Sequence, residues 1–192
     1  MGNIVDDIRA NEDTFADRPF NEVDSLALAQ LSYARMPVNV PRLDAEATDV
    51  DLAMVSVRDL LRAECYDDMF GKVWSPSMNV DLLRAMCESP RWRDLRVGGY
   101  VDEFDPETTK QFSACVFDVG DGSSYVAFRG TDSTIVGWKE DFAMAFRRPV
   151  AAQESAARYL ADIAGRRDGP LMVGGHSKGG NLAVYAAANA PA

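Results

Sequence analysis

The sequence predicts an α/β fold in which a helical amino-terminal region, residues 1–93, precedes a sheet-based core, residues 94–192. Three observations predict it. The first half reads as capped, Pro-terminated helices, and from Leu95 the pattern changes to β-rich runs separated by turn residues. Strand, helix, strand and helix then alternate, the order of a layered fold with a largely parallel sheet. The last strand, "LMVGG", runs directly into Ser177 and a small-residue helix, so a sharp turn joins the two.

Taken in order, "FNEVDSLALAQLSYARMP" reads as a helix capped by Asn21, with Asp24 three residues on, an apolar surface of Val23, Leu26, Leu28 and Leu31, and Pro37 as its stop. A second helix is expected from about Val50 to Ala63. Asn79 caps a third, "VDLLRAMCES", ended by Pro90. "LRVGGYVDEF", "KQFSACVFDV" and "SSYVAFRG" follow as strands, joined through Asp105-Pro106 and the hairpin signal Asp121-Gly122. This antiparallel hairpin is expected at the sheet's edge. An amphipathic stretch from about Gly137 to Phe146 and a helix from about Ala151 to Arg167 lead to the final strand, turn and helix.

The 192 residues suffice to bury a core without disulfides or metals. A net charge of −10 repels phosphate backbones and anionic lipid surfaces, which argues against a nucleic-acid partner. No apolar run is long enough for a stable membrane span, and the first residues carry no secretory pattern. Cys65, Cys87 and Cys115 are scattered without ligand spacing, which fits buried thiols in a reducing compartment. The cytoplasm is the expected location. No metal or other cofactor is expected.

"GGHSKGGN" contains Gly175-x-Ser177-x-Gly179. At about seven per cent abundance per fixed residue, such a pentapeptide arises by chance in roughly one chain of this length in fifteen to twenty, so its context must carry the reading. A buried strand enters and an alanine-rich helix leaves, with glycines flanking the serine where a β-carbon would collide. Ser177 then projects from the carboxyl edge of the sheet, and the Lys178 amide can face a developing oxyanion. The same residues also fit a plain glycine turn with Ser177 as helix cap. A phosphate-binding loop needs Gly-Lys-Ser/Thr, and here the order is Ser177-Lys178.

"YVAFRGTDSTIVGWKEDF" adds a strand ending in Arg129-Gly130-Thr131, followed by Trp138 and Asp141, with Ser177 46 residues after Thr131. In these motifs the chain resembles the class 3 (fungal-type) lipase family, and "FNEVDSLALAQLSYARM" is similar to the start of an uncharacterised bacterial lipase-like branch. The resemblance implies a partial α/β-hydrolase core and a serine hydrolase acting on carboxylic esters, with a small-molecule ester or lipid substrate. It implies Ser177 as catalytic nucleophile, Lys178 and Thr131 as oxyanion-hole donors, and Asp141 as a support for the Thr131 hydroxyl. Thr131 also fits a turn residue and Asp141 a solvated or capping carboxylate. Trp138, Phe142 and Phe146 form a stripe that either packs on the core or, by the resemblance, forms a lid.

A serine nucleophile needs a general base held by a carboxylate. His176, the single histidine, is expected to face the packing behind the turn, and Lys178 as base meets the same directional problem. "KGGNLAVYAAANAPA" contains no Asp, Glu or His. The chain is therefore expected to be the first portion of a longer hydrolase, inactive alone, with an uncovered sheet edge after its last strand. Two other readings stay open: an acyltransferase, in which Glu usually occupies the place of Gly180, and a noncatalytic domain that keeps the turn for architecture.

Overall fold

The computed structural model describes residues 2–44, 52–131, 135–144, 146 and 149–189, with the side chains of residues 135, 136, 141 and 143 left aside. It is a mixed α/β structure with a five-stranded mixed sheet and seven α-helices among those residues.

Helices α1 (Ile4–Ala10) and α2 (Glu22–Leu31) each begin with a reciprocal capping box. In α2 the Asn21 side chain accepts from the Val23 amide at 2.9 Å, and the Asn21 amide donates to Asp24 at 2.9 Å. The helix ends at Leu31, well before Pro37. There the Ser32 hydroxyl donates to the Ala29 carbonyl, and the Tyr33 and Ala34 amides reach back only three residues, tightening the last turn. Val23 and Leu26, expected on the apolar face, are exposed, while Asp24 is buried. Arg91 explains that inversion. Its guanidinium takes both Asp24 oxygens and also donates to the carbonyls of Asp13, Thr14, Arg18 and Pro19, with Phe15 stacked 3.9 Å away.

The helix expected from Val50 to Ala63 is absent in its described part. Residues 45–51 lie outside the described residues; beyond them come strand β1 (Met54–Ser56) and two 3-10 turns, Val57–Leu60 and Ala63–Cys65. Tertiary pairing overrides the local pattern: β1 pairs antiparallel with Arg96–Gly98 of the next strand, and a β-carbon at Gly98 would overlap the Ala53 carbonyl. After α3 (Tyr66–Phe70), helix α4 (Pro76–Glu88) starts with proline in its first turn. Asn79 is therefore inside the helix rather than its cap. It is buried, donating to the Trp74 and Ser75 carbonyls and accepting from Gln30.

Strands β2 (Arg96–Asp105), β3 (Lys110–Asp118) and β4 (Ser124–Phe128) form an antiparallel meander, and β5 (Leu171–Gly175) adds to β4 in parallel. The sheet order is β1-β2-β3-β4-β5, so one pairing of four is parallel and the expected parallel majority is wrong. The crossover that makes the parallel pair contains α5 (Ile135–Met144) and α6 (Ala151–Arg166), after which α7 (Lys178–Asn189) follows β5. Alternation does match the pleat. Cys115, Phe117, Tyr125 and Ala127 pack with residues of α1, α2 and α4, whereas Phe112, Ala114, Val116, Val126 and Phe128 pack with α6 and α7. Helices thus cover both faces of the central strands. No described helix is long and apolar enough to cross a membrane.

Candidate functional site

The site is built at the tips of the two parallel strands. Register pairs Phe128 with Gly175, so the residues that follow, Arg129-Gly130-Thr131 and His176-Ser177-Lys178, leave the sheet side by side. Ser177 is exposed and takes φ +56°, left-handed backbone that a serine adopts only when the surroundings enforce it. Enforcement is visible. The Gly179 amide donates to the His176 carbonyl at 2.9 Å and the Gly180 amide to the Ser177 carbonyl at 3.0 Å, closing the turn. A β-carbon at Gly175 would come within 2.5 Å of Gly179, and one at Gly179 would overlap the Phe128 carbonyl oxygen. The start of α7 is thereby pressed onto the end of β4.

Among the described residues, no side chain hydrogen-bonds the Ser177 hydroxyl. His176 is exposed rather than packed behind the turn, and its Nδ1 lies 3.0 Å from the Tyr33 hydroxyl. Thr131 is buried beside α5: a β-carbon at Gly137 would stand 2.8 Å from the Thr131 methyl. Asp141 lies on α5, but its side chain is outside the described residues. Arg129 turns away and donates to Asp102 at 2.8 Å, bracing β4 on β2.

Lys178 is not a base in reserve. Its ammonium is buried and donates to the Gln111 carbonyl at 2.7 Å, to Gln111 Oε1 at 3.1 Å and to Glu140 Oε2 at 2.9 Å. The same carboxylate accepts from the Gln111 and Ala152 amides, each at 3.1 Å. The sequence reading missed Glu140 and Gln111. The signal for Glu140 lay in the phase of α5, where Gly137, Glu140 and Met144 share a face opposite the aromatic stripe; Gln111, on β3, carried none. That stripe does not pack on the core: Trp138, Phe142 and Phe146 are 57%, 71% and 75% exposed.

Among the described residues, no group of three or more His, Cys, Asp or Glu side chains could hold a metal ion. No curated protein and no solved structure matches the chain. A family model described as Mbeg1-like matches residues 86–192. That is a family distinct from the class 3 lipases, and it overturns both the class 3 resemblance and the carboxylic-ester hydrolase activity drawn from it.

Proposed function

The chain belongs to the Mbeg1-like family, and from that premise we propose that Ser177 is a reactive nucleophile, the covalent centre of a site carried on an α/β-hydrolase-type core. The observation that supports this reading is the left-handed backbone of an exposed serine between β5 and α7. Strain of this kind costs about 1–2 kcal/mol; Ser75 and Thr109 carry it as well, and what sets Ser177 apart is its place where the tips of the two parallel strands meet the start of α7. In this reading the Oγ attacks an electrophilic centre of a small molecule. The Lys178 and Thr131 amides, from two separate segments, converge on the oxygen that gains charge. Two donors fixed in advance are worth about 3–4 kcal/mol of barrier each.

A fluorophosphonate probe tests the reading on the whole chain. Attack by Ser177 forms an Oγ–P bond, fluoride leaves, and the hydroxyl proton passes to solvent base. Labelling mapped to Ser177 by peptide mass spectrometry, and lost in Ser177→Ala, is the expected result. A folded chain that stays unlabelled at Ser177 through prolonged exposure would end the proposal.

A further inference from the structure

Lys178 and Glu140 are both charged, and their side chains are 1% and 2% exposed. Removing two charges from water is costly, and an apolar pair of similar volume is often equally stable or more so. Stability is therefore a weak reason for this pair. What it does have is reach. One ammonium and one carboxylate connect the start of α7, the start of β3 through Gln111, the start of α6 through Ala152, and α5.

The first residue so connected stands immediately after Ser177. With its Nζ held by three oxygens, the Lys178 side chain is drawn inward and its Cα has little freedom to rotate about the turn. On the other side the Gly179 and Gly180 amides clamp the carbonyls of His176 and Ser177. We infer that the Glu140–Lys178 pair is a positioning device, which holds Ser177 in its left-handed conformation and aims both its hydroxyl and the Lys178 amide. Glu140 and Lys178 thus act through Ser177, and the inference rests on the proposed reactivity of that serine. A methionine or leucine in the same space would fill it without fixing a direction, because apolar contacts are not oriented.

The test replaces both charges at once, Glu140→Leu with Lys178→Met, in the full chain. Three quantities are read: the urea midpoint, hydrogen exchange of the Gly179 and Gly180 amides together with the Ser177 carbon shifts, and the rate of fluorophosphonate labelling. The expected outcome is a midpoint close to that of the parent, exchange of both amides at least ten-fold faster, and labelling at least ten-fold slower. A double variant that keeps the parent's exchange, carbon shifts and labelling rate overturns the inference. If the parent itself is not labelled, exchange and carbon shifts still decide the positioning role, so that the two readings fail separately. Should the double variant not fold, Glu140→Asp keeps the charge and withdraws the carboxylate by one methylene. It is expected to speed exchange of the two amides at least three-fold, and unchanged exchange would count as refutation.

Discussion

Gly130 and His176 approach so closely that a β-carbon on Gly130 would stand 2.6 Å from the His176 carbonyl oxygen and would overlap the Tyr33 hydroxyl. The tips of β4 and β5 therefore touch through bare backbone, directly beside Ser177.

Gly130→Ala should consequently lower stability by about 1–3 kcal/mol, the range for forcing a methyl into filled space, and should slow probe labelling at Ser177. Gly165→Ala is the control, since a methyl there meets nothing within 4 Å. In the exposed last turn of α6 it should raise stability by about 0.5 kcal/mol. Urea midpoints compare the two, and equal effects would refute the close approach.

Ser177→Gly should make the fold more stable than Ser177→Ala by about 1 kcal/mol, because glycine takes φ +56° without the cost that alanine keeps. Both substitutions remove the hydroxyl, so only the backbone term separates them. Equal thermal midpoints would mean that the turn relaxes in solution.

Arg91→Met should cost about 3–5 kcal/mol, the penalty for stranding a buried charge. It leaves the Asp24 carboxylate without the guanidinium and unbinds four carbonyls of residues 13–19. Chemical denaturation reads the loss, and amide exchange in α2 should rise with it. A cost below about 1 kcal/mol would contradict the buried clasp.

Alkaline pH should weaken the fold. Burial pushes the Cys115 thiol from its ordinary 9.0 to about 12 and, with help from Glu88 and Asp59, the Cys87 thiol to about 11; it also lifts the Tyr159 hydroxyl well above its ordinary value. Well below pH 9 these thiols are neutral in both folded and unfolded chains, and their stabilisation is full. Above it the unfolded chain ionises first, so stability falls through the window from about 9 to about 12. Cys115 alone should remove about 2 kcal/mol by about pH 10.5. Urea midpoints at pH 8 and 10.5 check this, and Cys115→Ala should flatten part of the slope.

The turn at Ser177 was legible because its requirements are steric and local: a strand, then glycines where β-carbons would strike Gly179 or Phe128, then a helix. The meander was legible for a similar reason, with Gly120 and Gly122 both at positive φ in the turn that Asp121-Gly122 announced. Strand β1 was not, because three residues paired opposite Gly98 leave no periodic trace. Glu140 carried no signal beyond its helical phase and Lys178 stood out only for its amide and as an alternative base, since burial of an ion pair depends on two segments meeting. The mistaken class 3 resemblance has a physical root as well. Gly130 and the glycines around Ser177 are what this contact between two strand tips needs, so distinct families can share them.

The Arg91 clasp has a consequence for synthesis. The residue that ties down the first two dozen positions is encoded 67 residues after its partner Asp24. At about 5–20 residues per second, a ribosome needs roughly 3–13 s to cover that separation. During that interval residues 13–24 lack the side chain that gathers their carbonyls, Phe15 waits for Trp92 one residue further on, and Phe20 waits longer still for Tyr125.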